Sequence, residues 1–229
     1  MKRSEINQAI EDAKIAMEKI NFKLPEFSKW SEDDWKNNID KIDTIKDVML
    51  GWDVTDFGSD DFKNIGAVLF TIRNGNLYNP EVGVPYCEKV IVFNGDEKQV
   101  IPFHFHRNKT EDIINRGNGI LEIELYNSTE DDKIDYESDV EIYMDGILHT
   151  VKPGEMFEIH PGNSISLTPG VYHRFGGKKG AGNLVVGEVS KINDDNIDNV
   201  FAEEQKRFSA IIEDEERKYV LCNEYDSLV

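Results

Sequence analysis

The sequence predicts a mostly β protein, an antiparallel barrel or sandwich preceded by α-helices, and three observations carry that expectation. From about residue 65 onward, short apolar or alternating runs recur at the close, regular spacing of such folds. Three of the runs lead into Asn74-Gly75, Asn94-Gly95 and Asp145-Gly146, dipeptides that favour two-residue hairpin turns and so imply antiparallel sheet. Ahead of them, residues 4–20 place Ile6, Ile10, Ala13, Met17 and Ile20 at spacings of three and four, the period of an amphipathic helix.

In chain order, Ser4 is available to cap the first helix, and Pro25 breaks the segment that follows. A second helix is expected from Ser31, a capping hydroxyl trailed by the first-turn acids Glu32, Asp33 and Asp34. Its apolar positions are Trp35, Ile39, Ile42 and Ile45, and it ends before Gly51. Strands are expected over 66–73, 90–93, 100–106, 120–126, 140–144, 156–159, 165–167 and 184–189, with another entered after the Pro169-Gly170 turn. The tail after Asp198 is acidic and ends in the apolar piece Tyr219-Val220-Leu221-Cys222, suited to cover the barrel as a lid or edge. No internal repeat or proline-rich linker divides the chain. The 229 residues therefore read as one domain: a helical extension over 1–60, a barrel core over 65–192 and a covering segment over 193–229.

Lysine and arginine number 26 against 45 aspartate and glutamate residues, a net charge of −19. That field repels phosphate backbones and anionic membrane surfaces, so neither nucleic acid nor membrane is expected as a partner. A neutral ligand fits it more easily than a multiply charged one. Cys87 and Cys222 form no Cys-x-x-Cys pair, and the basic start is followed by charged amphipathic sequence rather than an apolar signal core. No apolar run approaches the roughly 18 residues of a membrane span. These features predict a reduced, cytoplasmic setting.

The most informative stretch is Phe103-His104-Phe105-His106-Arg107-Asn108-Lys109-Thr110-Glu111. On a strand His104 and His106 project to one side and Phe103 and Phe105 to the other, so one face is expected to hold chemistry and the other core. With Glu111 and the distant His173 they make a four-ligand set of three nitrogens and one oxygen, suited to a divalent transition metal. No thiol lies nearby to select zinc or copper(I), and the carboxylate moves the preference toward manganese. A six-coordinate ion would keep two open positions, the mark of a catalytic rather than a structural site. His149 and His160 are expected outside the ligand set, each beside a turn of its own.

These residues resemble the cupins, with Gly117 and Gly119 after Glu111 and a second motif in Pro169-Gly170-Val171-Tyr172-His173. The chain departs from that pattern in lacking a spacer between Pro169 and Gly170 and in having Gly177 where an Asn is usual. A narrower likeness is to the D-lyxose isomerases. It rests on His104-Phe-His-Arg-Asn-Lys109-Thr-Glu111-Asp112, on Gly187-Glu188-Val189-Ser190, and on the run Asn193-Asp194-Asp195-Asn196-Ile197-Asp198-Asn199. The resemblance implies a jelly-roll-like cupin barrel and a dimeric, usually manganese-dependent aldose–ketose isomerase. It would interconvert D-lyxose with D-xylulose and often D-mannose with D-fructose, with His104, His106, Glu111 and His173 on the metal.

Such a reaction takes a proton from one carbon and returns it to the next. Glu204 is the first expectation for the base, because the resemblance places its segment across the barrel mouth; Glu203 and Glu188 are its rivals. A lid could raise the base's pKa by burial. Lys109 would hold a sugar oxygen or assist proton movement, and Lys89 would contact a hydroxyl. Val186, Glu188 and Ser190 share one strand face, expected to turn inward and make Glu188 a substrate contact or a partner to a ligand. Three alternatives stay open. A sugar-phosphate isomerase needs a local anion pocket, at which only Lys178-Lys179 hints; a dioxygenase would consume oxygen; a sugar-binding cupin would bind without turnover.

Overall fold

A computed structural model describes residues 1–194 and 197–228, so Asp195 and Asn196 of the polar run lie outside the described residues. Helix α1 (Arg3–Lys19) buries Ile6, Ile10, Ala13, Ala16 and Met17 along one stripe. Its cap, Lys2, is two residues earlier than Ser4: the Glu5 carboxylate accepts from the Lys2 backbone N–H at 2.8 Å, and Ser4 instead bonds Asp214 of the C-terminal segment. The expected second helix is divided into α2 (Glu32–Asn37) and α3 (Asp43–Asp47), separated by a tight turn over Ile39–Lys41. Ser31 caps α2, accepting from the Asp34 N–H at 3.2 Å. The interruption follows from Asn38, whose short amide bonds back to the Asp34 carbonyl at 2.9 Å and closes α2 after two turns.

Fourteen strands, numbered in chain order, form two facing sheets whose ladders are antiparallel among the described residues. The larger sheet runs β1 (Gly51–Thr55), β2 (Ala67–Gly75), β3 (Gly83–Phe93), β13 (Leu184–Ser190), β5 (Glu111–Gly117), β11 (Ser164–Leu167), β8 (Val140–Met144), β9 (Ile147–Val151). The smaller runs β10 (Met156–Ile159), β6 (Leu121–Ser128), β12 (Val171–Gly177), β4 (Val100–His106), β14 (Asn199–Phe201), with β7 (Ile134–Asp135) beside β6. The interior is filled from both sides, by Ile91, Ile113 and Ile165 of one sheet and Ile123, Leu125 and Phe175 of the other. The result is a jelly-roll-like barrel. The outer face of the larger sheet carries Val68, Phe70, Val90 and Val92, and α1 lies across it. This double burial explains why residues 67–70 and 90–93 read as continuous apolar runs rather than alternating ones.

Two of the three hairpin expectations change. Only Asp145-Gly146 is a two-residue turn, with both residues at positive φ and Met144 paired with Ile147. Asn74-Gly75 lies inside β2: a Cβ on Gly75 would stand 2.0 Å from the Val84 carbonyl oxygen, and the buried Asn74 amide donates to the Val48 and Asn193 carbonyls. Asn94-Gly95 starts a crossing from one sheet to the other, because β3 and β4 belong to different sheets. Residues 51–55, inside the expected helical extension, form the barrel strand β1.

Phe103 and Phe105 pack on the face of β4 away from the histidines, as expected: Phe105 is buried against Tyr172 at 4.8 Å and the half-buried Phe103 meets Tyr126 at 5.5 Å. The histidine face differs from the expectation in sharing the interior with the core. The C-terminal segment returns over the molecule. After β14 it ties to β1 through Arg207–Asp53, to α1 through a bifurcated pairing of the buried Arg3 with Glu213 and Glu224, and to α2 through Arg217–Glu32 at 2.8 Å.

Candidate active site

Two strands of the smaller sheet and one of the larger assemble the centre. His104 on β4 and His173 on β12 are direct cross-strand partners, and His106 follows two residues along β4 on the same face. Glu111 opens β5 on the facing sheet, so the four side chains converge across the interior. All four are buried, and one ligand atom from each lies within 4.8 Å of the others. The carboxylate reaches between the imidazoles, with Oε2 3.1 Å from His106 Nε2 and Oε1 3.1 Å from His173 Nε2.

The ring orientations suit a cation. His104 Nδ1 lies 2.8 Å from the Pro102 carbonyl and His173 Nδ1 2.9 Å from the Val171 carbonyl. A carbonyl only accepts, so each Nδ1 carries the proton and each Nε2 presents a lone pair to the centre. His106 Nε2 and His173 Nε2 are buried and face only the Glu111 carboxylate, an arrangement that an ion between the three groups satisfies. Burial, reinforced by the neighbouring His173 and His106, holds the His104 pKa well below its ordinary value, and burial lowers that of His106. Burial alone would raise the Glu111 pKa; His106 and Lys109 beside it outweigh burial and hold the carboxyl well below the usual range. An ionised carboxylate beside imidazoles whose protonation is disfavoured, as at His104 and His106, is the form of ligand a divalent cation takes. The set can therefore hold one.

Beside the cluster is a small cavity of about 50 Å³, lined by Lys89, Lys109, Glu188 and Arg207 among others. Glu188 is buried on β13 and faces the interior; Lys89, its cross-strand partner on β3, approaches it to 3.3 Å. Lys109 lies between the two carboxylates, 3.1 Å from Glu111 and 3.5 Å from Glu188, and donates to Asn193 Oδ1 at 2.7 Å. A cleft of about 190 Å³ shares Lys89 and Arg207 with this cavity and adds Thr71, Asn74 and Asn193.

Glu204 is displaced from its expected place. It is exposed and lines neither the cavity nor the cleft. The cause is the end of β14 at Phe201, whose ring packs 5.3 Å from His104; residues 203–206 then run over the outside before Arg207 turns back inward. Glu203 is exposed too and lines a groove on the outer face. His149 and His160 are exposed and outside the cluster. Lys178 pairs with Glu158, and neither it nor Lys179 lines the cavity, so the hinted anion pocket is not formed there. Sequence reasoning assigned no role to Arg207, Asn193 or Asp198. All three come from the C-terminal return, where no local pattern marks an inward-facing side chain.

The barrel with its interior cluster matches solved sugar isomerases in fold. A variant of the L-ribose isomerase of Acinetobacter sp. DL28, in complex with L-ribose, superposes with a TM-score of 0.60 at 14% identity, covering 93% of this chain and 98% of that one. Fold and site thus define a cupin-type barrel with an interior cluster able to hold a metal ion. The profile of the D-lyxose isomerase family matches residues 1–225. Proteins named D-lyxose/D-mannose isomerase from Serratia proteamaculans and Escherichia coli O157:H7 are 41% and 40% identical over 98% of this chain and of their own lengths. The chain belongs to the D-lyxose isomerase family and is an aldose–ketose isomerase.

Proposed function

We propose that the chain interconverts D-lyxose with D-xylulose and D-mannose with D-fructose, using a divalent cation, Mn2+ by preference, held by His104, His106, Glu111 and His173. The observation that carries this reading is a second buried carboxylate, Glu188, in the same small cavity as that cluster. The substrate pair follows the names of the relatives, and the two aldoses share their configuration from C2 to C4. The donor set of three imidazoles and a carboxylate, without a thiol, supports manganese. The two buried cysteines, which form no disulfide, support a reduced, cytoplasmic setting, and no helix of the described residues is long and apolar enough to cross a membrane. A homodimer rests on the family resemblance alone.

The cation supplies Lewis-acid stabilisation of the negative charge that develops on O1 and O2. Glu188 takes the place proposed above for Glu204. Its carboxylate removes the C2 proton of the open-chain aldose, the C–H pair forms the C1–C2 double bond, and the same carboxyl returns the proton to C1 as O2 becomes the carbonyl. Lys109 contacts both carboxylates and moves the hydroxyl proton between O2 and O1; Lys89 holds the Glu188 carboxylate toward the cavity. At about 50 Å³ the cavity has room for little more than one water's share of liquid volume, about 30 Å³. It therefore takes the reacting end of the sugar, and the remaining carbons extend past Lys89 and Arg207 into the cleft. Chelator-treated protein is expected to lose turnover of D-lyxose and D-mannose and to regain it on addition of Mn2+. Conversion that survives complete metal removal, or a metal-loaded sample that turns over neither sugar, contradicts the reading.

A further inference from the structure

Two of the three imidazoles are oriented by backbone carbonyls, His104 by Pro102 and His173 by Val171. His106 has no such carbonyl. Its Nδ1 faces Asp198 Oδ2 at 3.5 Å, and both atoms are buried without a hydrogen-bond partner. The residues are 3% and 5% exposed, so water does not replace the missing contact. A buried carboxylate oxygen and a buried ring nitrogen left facing each other are expensive unless a proton lies between them.

Asp198 is itself held in place. Its Oδ1 accepts from the Asn108 backbone N–H at 2.8 Å, and its backbone carbonyl accepts from Arg107 N–H at 3.1 Å. The next residue opens β14, where Asn199 pairs directly with His106. The ladder therefore delivers the carboxylate to the back of one imidazole and to no other.

We propose that Asp198 is the positioning residue of this centre: its Oδ2 accepts the Nδ1 proton of His106 and so turns the Nε2 lone pair toward the cation. The inference rests on the metal reading above and adds to it a residue that no spacing in the sequence marks. A carboxylate behind a ligating imidazole fixes its tautomer and raises its basicity, so its loss weakens metal binding by about 10–100-fold.

The test is Asp198→Asn. The amide oxygen can keep the Asn108 anchor while the amide NH2 faces His106 Nδ1 and makes it an acceptor, which moves the ring proton to Nε2, into the ligand position. Titration calorimetry with Mn2+ is expected to show a dissociation constant about 10–100-fold higher than wild type, with the melting temperature of the metal-free protein little changed. Long-range 1H–15N correlation of metal-free wild type is expected to show His106 protonated on Nδ1, and the variant on Nε2. Equal Mn2+ affinity in the two proteins, or an Nε2–H tautomer in wild type, overturns the proposal, and the wild-type tautomer decides it even if the variant does not fold. Wild-type protein that binds no Mn2+ instead overturns the metal reading, a separate outcome, because the tautomer is read without metal.

Discussion

Glu111 and Glu188 are both buried carboxylates on the larger sheet, yet their neighbours give them different work. Glu111 reaches two imidazole nitrogens at 3.1 Å, whereas Glu188 meets the ammonium groups of Lys89 and Lys109. Lys109→Met removes a cation that contacts both carboxylates, and kcat/KM for D-lyxose is expected to fall at least about 100-fold, in the range of general acid–base contributions. A value within a few-fold of wild type would return Lys109 to a purely structural role. Glu204→Gln, by contrast, is expected to leave steady-state turnover within about twofold, because an exposed side chain outside the cavity contributes little beyond roughly ±0.5 kcal/mol. The cluster of His104, His106, Glu111 and His173 was legible in the sequence because His-x-His on a strand and a turn before His173 are local signals. Glu188 was half legible, from the alternation of Val186, Glu188 and Ser190. Glu204 was misplaced because a charge run on a covering segment carries no sign of where its strand stops.

At the scale of elements, α1 and the antiparallel strands followed from periodicity, while only one of the three turns, Asp145-Gly146, followed from its dipeptide. Asn74-Gly75 has the composition of a hairpin, but the Asn74 amide bonds to Val48 and Asn193 hold it inside β2, partners 26 and 119 residues away that no local pattern reveals. Gly176, on β12 beside the histidine ladder, shows why the close strands need it: a Cβ there would stand 2.0 Å from the Gln99 carbonyl oxygen. Gly176→Ala is expected to lower stability by about 1–3 kcal/mol, read as the denaturation midpoint of metal-free protein; an unchanged midpoint would contradict that packing. The C-terminal return is held by ion pairs and should respond to acid. Hydrogen bonds from Lys36 and Arg217 push the Glu32 pKa down to about 2, and the bond from Arg3 lowers that of Glu213. A depressed carboxylate stabilises the fold above its ordinary pKa, near 4.5, and that contribution is lost as pH falls toward 2. Because both carboxylates are largely exposed, the effect is local. Amide exchange in residues 213–228 is expected to accelerate between pH 4.5 and 2, after correction for intrinsic exchange, relative to β3 and β13. Equal change in both regions would count against the account.

Across the whole molecule, the site exists only because two sheets close on each other. The smaller sheet supplies the three imidazoles; the larger supplies Glu111, Glu188 and Lys89; the C-terminal return supplies Arg207, Asn193 and Asp198. The sequence made the first of these contributions visible and gave the last no role, since Lys109 and Asn193, 84 positions apart, and His106 and Asp198, 92 apart, meet only through the barrel's closure. The net charge of −19 lies outside this closure, where the interior balances its own acids against Lys89, Lys109 and Arg207. The central claim is that one carboxylate in this enclosed space moves the proton while four other side chains hold the cation. It is tested most directly by Glu188→Gln, with bound Mn2+ and D-lyxose turnover measured on the same sample. The account predicts wild-type metal content with turnover reduced by about 10²–10⁴-fold. Full metal content with near-normal turnover would contradict it.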